Sequence, residues 1–160
     1  GTHIAETGDR VARAWRLGDV MHGRDWEHVE HDADIGLRAS ASSRDGLFEA
    51  MGEALTALIT DPGAVRPVES VRIRCEAPDD ALLLADWLNA LVYEMAARRM
   101  LFGDWHVDIK DHALDAVAKG EPIDRDRHRP VVEVKGATYT SLFVNQDNTG
   151  TWHGQCIVDV

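Results

Sequence analysis

The stretch WEHVEHDADIGL, Trp26 to Leu37, places six ionisable side chains in its first nine positions. No Lys or Arg falls between Glu27 and Leu37, so nothing within the stretch neutralises its acids. Carboxylates and imidazoles at this density suit three chemistries: oxygen ligation of a hard divalent cation, zinc ligation, and nucleophilic attack by an aspartate. Read as one extended strand, the stretch puts His28, Glu30, Asp32 and Asp34 on one face. Val29, His31, Ala33 and Ile35 take the other. The plainest alternative is a solvated strand face.

Spacing separates these chemistries. An EF-hand loop needs oxygen ligands at positions 1, 3 and 5, glycine at 6 and glutamate at 12. Counted from Asp32, those last three positions hold Gly36, Leu37 and Ser43, and the pattern fails. The D-x-D of aspartyl-nucleophile phosphatases follows a buried apolar strand, and EHVEH is too polar to be one. Zinc is poorly served as well. His28 and His31 point to opposite faces of a strand, and no cysteine pair or third histidine sits nearby. The far end of the chain favours the hard cation. It reads CIVDV, which sets Asp159 beside the terminal carboxylate of Val160. Brought against Asp34, these oxygens would make a site for magnesium or calcium.

The elements that must position these residues are legible. IGLRASA reads as a strand after a break at Asp32 to Asp34. Ser42 or Ser43 can cap a following helix, with Asp45 near the positive end of its dipole. Leu47, Phe48, Met51, Leu55, Leu58 and Ile59 recur at helical spacing, and TDPG stops the helix. VESVRIRCEA alternates as a strand with Val71, Ile73 and Cys75 inward. A second helix opens at Pro78-Asp79-Asp80 and buries Leu84, Trp87, Leu88, Leu91 and Met95. Four strands are expected after Arg99: LFGDWHVDIKD, ALDAVAKGEPI, VVEVKGATYTSLFVN and TWHGQCIVDV. QDNTG joins the last two as a hairpin. The order predicts an α/β protein of the α+β type. It is a two-layer sandwich, with two helices on one face of a largely antiparallel or mixed β-sheet.

At 160 residues the chain suits one domain. Residues 1–25 are set apart as an N-terminal extension with a vector-like start and a short helical pattern around Val11, Trp15 and Leu17. Residues 26–160 form the domain proper. A net charge of −11, from 28 acids and 17 bases, repels phosphate backbones and argues against direct nucleic-acid binding. The lysines are Lys110, Lys119 and Lys135, so a lysine in an informative place stands out. No run approaches the roughly 18 apolar residues of a membrane span. Cys75 and Cys156, far apart in apolar stretches, read as reduced buried thiols of a cytoplasmic protein.

From Trp26 to Val160 the sequence resembles the archease family. The matching pieces are WEHVEHDADIGL, GLFEAMGEAL, LLLADWLNALVYE, GEPIDRDRH, VEVKGATY at the family spacing, and the terminal VDV. The usual histidine-threonine-alanine-aspartate stands here as His31-Asp32-Ala33-Asp34. Thr140 occupies a position that is often histidine. The resemblance implies a cofactor protein, itself not an enzyme, for RtcB-type RNA-splicing ligases of tRNA processing. Such ligases charge a histidine with guanylate from GTP. Archease-like proteins promote that guanylylation, broaden nucleotide use and restore multiple turnover. Carried over, the metal position, for calcium or magnesium, matches Asp34, Asp159 and terminal Val160. Lys135 matches the family lysine, and His31, Asp124 and His128 match motif positions, where each can equally orient a loop. No catalytic residue is implied. The expected partner is the ligase, with RNA met only through it and no membrane. Two other readings are a free-standing metal-dependent phosphohydrolase and a structural chaperone-like adaptor.

Overall fold

The computed structural model describes residues 10–12 and 24–160. Strands β1 (Arg10–Ala12), β2 (Arg24–His31) and β3 (Asp34–Ala41) are followed by helix α1 (Arg44–Ile59) and a 3-10 turn at Pro62–Ala64. Then come β4 (Glu69–Glu76), α2 (Asp80–Arg98), β5 (Met100–Lys110) and β6 (Ala113–Pro122). A helical turn, α3 (Arg125–His128), precedes β7 (Gly136–Ala137), β8 (Phe143–Gln146) and β9 (Trp152–Asp159). Every strand pairing is antiparallel. The α+β class is as expected, but the strands divide into two sheets. One runs β1-β2-β3-β9-β7, with β8 also on β9; the other runs β4-β6-β5.

Both helices start where the side chains allow. The Ser43 hydroxyl accepts from the Gly46 N–H, and the Asp79 carboxylate accepts from the Leu82 N–H. The expected apolar stripes are buried on both. Helix α1 also joins the sheets. Asp45 and Glu49, one turn apart, accept the Ile109 and Val107 N–H groups of edge strand β5, at 3.0 and 2.9 Å. Those N–H groups would otherwise be open for pairing with another chain. At Gly120 in β6 any Cβ would collide with the Leu101 carbonyl, so glycine is required where β5 bulges between Phe102 and Asp104.

Two expectations are corrected. Val11 lies in strand β1, opposite Val29, rather than in a helix; Trp15 and Leu17 fall outside the described residues. VVEVKGATYTSLFVN is not one strand. Gly136 already pairs with Asp159, the last residue of β9, so residues before Lys135 have run past the end of that ladder. Further on, Ser141 at φ 52° turns the chain before β8. The hairpin is as expected, with Gln146 opposite Trp152.

Candidate functional site

The acidic stretch folds as a tight hairpin rather than one continuous strand. His31 ends β2 and pairs with Asp34, the first residue of β3, across Asp32 and Ala33. Asp32 has φ 53°, a left-handed conformation that aspartate adopts more readily than a β-branched residue. The expected face of His28, Glu30, Asp32 and Asp34 is thereby broken. Cross-strand partners share a face, so Asp34 lies with His31 and not with His28.

The two faces differ in what they meet. On the inner face the Trp26 indole N–H donates to Glu53 at 2.5 Å, and the His28 Nε2 lies 2.8 Å from the Ala54 carbonyl, both on α1. Burial holds the His28 imidazole below its ordinary pKa, partly offset by the Ala54 bond. His28 is thus half-buried and turned inward onto α1. On the outer face Arg38 Nε donates to Gln155 at 2.9 Å, and Gln155 donates to the Ser141 carbonyl at 2.9 Å.

Asp34 and Asp159 both lie at the end of this outer face. The β3–β9 ladder ends with Ile35 opposite Val158, and Asp34 and Asp159 are the next residues of the two strands. Asp34 is half-buried and Asp159 exposed. Among the described residues no hydrogen bond or ion pair reaches either side-chain carboxylate. Like charges brought opposite one another at a sheet edge are destabilising. The backbone of this edge is nonetheless held firmly. The Lys135 N–H donates to the Asp159 carbonyl at 2.7 Å, and half-buried Val160 packs against the core.

The donors at this end of the sheet are the Asp34 and Asp159 carboxylates, both hard oxygen donors, with Val160 next to Asp159 in sequence. Such a set fits calcium or magnesium. Among the described residues no group of three or more His, Cys, Asp or Glu side chains is arranged to hold a metal, which leaves zinc without a donor set. The segment after Lys135 is sewn to β9 and α2. Thr138 donates through its N–H and its hydroxyl to the Ile157 carbonyl, at 2.8 and 3.0 Å, and the Ala137 N–H donates to Asn89 at 2.8 Å. The Lys135 side chain is exposed with no ion pair among the described residues, and Thr140 is exposed too.

His128 belongs to a different cluster. Its Nδ1 accepts the Asp124 N–H at 2.8 Å, which fixes the proton on Nε2, 3.0 Å from the Glu121 carboxylate. Glu121 also accepts from Arg127 at 2.5 Å and from the Arg66 N–H at 2.8 Å. Arg127 above all, then the Arg66 N–H and His128, hold the Glu121 carboxyl down to about 2, against the opposing effect of desolvation. The Asp124 carboxylate caps α3. The Thr60 hydroxyl at the end of α1 donates to the His128 carbonyl at 2.5 Å. No hydrogen bond or ion pair among the described residues links this knot to Asp34 or Asp159. His128 and Asp124 orient a loop, which is one of the two roles left open for them. Glu121 and Arg127 were missed by the sequence reading; the signal was an acid in β6 followed by Arg and His at six and seven residues. Cys75 and Cys156 are unpaired, and burial pushes their thiols up to about 11 and about 12, far from a reactive thiolate.

Residues 26–160 match the model of the Archease protein family (MTH1598/TM1083). The chain belongs to the archease family. It is similar to the archease of Methanopyrus kandleri, with 38% identity over 139 residues that cover 84% of this chain and 99% of that protein. The archease of Pyrococcus furiosus is 33% identical over 141 residues, covering 86% and 99%. The solution structure of Methanobacterium thermoautotrophicum protein 1598 superposes with a TM-score of 0.69 at 25% identity, covering 88% of this chain and 100% of that one. The archease match begins at Trp26, the inward-facing residue that opens the acidic stretch.

Proposed function

We propose that this archease-family protein activates an RtcB-type RNA ligase of tRNA splicing, and that the Asp34–Asp159–Val160 edge is its working site. In this reading it is not an enzyme. It promotes guanylylation of the ligase, broadens the nucleotides used and sustains multiple turnover. The observation that carries the reading is that β3 and β9 pair up to Ile35 and Val158, so that Asp34 and Asp159, from opposite ends of the domain, follow at one edge, where neither carboxylate has a partner among the described residues. A divalent cation held there would place positive charge where a nucleotide's phosphates can be met. Asp34 and Asp159 would bind it, Val160 would complete the oxygen set, and the Lys135 N–H would fix the Asp159 backbone. In this reading His31, beside Asp34 on the same face, and the exposed Lys135 side chain would contact the ligase or its nucleotide. The net charge of −11 directs RNA to the ligase rather than to this protein.

The test is ligation with limiting ligase and excess RNA, with and without this protein, alongside Asp34→Ala and Asp159→Ala. Multiple turnover with wild type only is the expected result. Activation that survives loss of both aspartates would favour a structural adaptor. Phosphoester turnover without any ligase would favour a phosphohydrolase.

A further inference from the structure

A second surface, which shares Lys135 with the aspartate edge, lies between the C-terminal end of α2 and the segment before β7. It is an apolar cleft of about 1150 Å³. Its floor includes Ile59, Met95, Met100, Leu101 and Val134, each also part of the core. Its ionisable lining is Arg98, Arg99, Arg125 and Lys135 against the single acid Glu133. Arg98 is paired with Glu94 at 2.7 Å. Arg99, Arg125 and Lys135 have no ion pair among the described residues. Cations collected around an apolar floor run against the charge of the whole chain, which is −11.

The wall of the cleft carries a second anomaly. Val131-Val132-Glu133-Val134 has strong strand character, yet it joins no ladder. Among the described residues, the main-chain donors from 131 to 135 that are bonded to the main chain are Val131, to the Ile59 carbonyl, and Lys135, to the Asp159 carbonyl. The N–H groups of Val132, Glu133 and Val134 are left open between these two anchors. Val131 is 81% exposed, an unusual position for a valine in a stretch of this kind.

We infer that this cleft binds an acidic, apolar segment of a partner protein, which adds to Val131–Val134 as an extended strand. Main-chain pairing would satisfy the Val132 and Val134 N–H groups, which share one edge of an extended segment, alternate apolar side chains would enter the cleft, and acidic ones would meet Arg99, Arg125 and Lys135. A second copy of this chain is a poor occupant, because pairing the same segment across a two-fold axis would oppose like cations. Single-stranded nucleic acid is also poorly matched, since the lining has no aromatic side chain on which a base could stack.

The test uses labelled 12-residue peptides of alternating valine and glutamate, with a lysine-for-glutamate counterpart and a version carrying proline at alternate positions. Anisotropy measures binding to the full chain, and amide hydrogen exchange maps it. The acidic peptide should bind at least tenfold more tightly than the lysine peptide and protect the amides of Val132 and Val134. The proline peptide should fail. The exposed substitutions Arg99→Asn with Arg125→Gln should weaken binding about tenfold without shifting the melting temperature. Asp34→Ala should leave it unchanged, which separates this cleft from the proposed cation site. No binding of the acidic peptide at millimolar concentration, equal binding of both charges, or protection elsewhere would overturn the inference.

Discussion

Glu121 and Asp159 are both acids at strand ends, and their surroundings are opposite. Glu121 is buried with three partners, from Arg127, the Arg66 N–H and His128, each at 3.0 Å or less. Asp159 is exposed, one residue past the last β3–β9 pair, and its carboxylate has no partner among the described residues. The first acid is answered within the fold. The second is held by its backbone, through the Lys135 N–H, while its carboxylate stands without a partner among the described residues, which is why the proposed function rests on it and not on Glu121.

The comparison can be broken most severely at activation. Asp159→Ala should abolish multiple turnover of the ligase, a loss of at least tenfold, while the protein stays folded. Glu121→Gln should retain turnover at a temperature where it remains folded. The reverse pattern would dissolve the distinction. Next in size is stability. Glu121→Ala leaves Arg127, His128 and the Arg66 N–H short of an acceptor, and should cost about 2–3 kcal/mol in denaturant unfolding. Asp159→Ala should cost much less, and Asp34→Asn should stabilise the cation-free chain by a few tenths of a kcal/mol, up to about 1, by relieving repulsion.

A smaller effect lies in pH. Glu121 is held at about 2 in the folded state, below its ordinary 4.5. A depressed folded value contributes stability that is fully present above pH 4.5 and is lost as pH falls towards 2. Glu121→Gln should flatten the acid limb of the stability profile in that window. Unfolding followed by tryptophan fluorescence at stepped pH checks it, and an unchanged limb would remove Glu121 as its source.

Much of this was legible from local chemistry. The stripes from Leu47 to Ile59 and from Leu84 to Met95, their Ser43 and Asp79 caps and the 146–152 hairpin are all short-range features. Asp34 and Asp159 are named together because the archease resemblance implies them. Their placement at one edge could not be read from spacing, since it depends on β9 pairing with β3 over more than a hundred residues. The break at Asp32 to Asp34 was legible, whereas the tight turn that sets Asp34 on the face of His31 rests on one backbone angle, at Asp32. The strand over VVEV failed because propensity cannot say whether a partner strand is still there. The knot around Glu121 was opaque for a related reason. Its partners come from the loop after α1 and from α3, and only the fold brings Arg66 and Arg127 to one carboxylate.

The most direct measurement is calcium and magnesium titration of wild type, Asp34→Asn, Asp159→Asn and Glu121→Gln, read as melting temperature and binding heat. Wild type and Glu121→Gln should gain stability with cation, reaching about 2.7 kcal/mol at a hundredfold excess over Kd. The two aspartate variants should gain little, and a tag fused beyond Val160 should weaken the response. A wild type that responds to neither cation, or no differently from Asp34→Asn, would contradict the account.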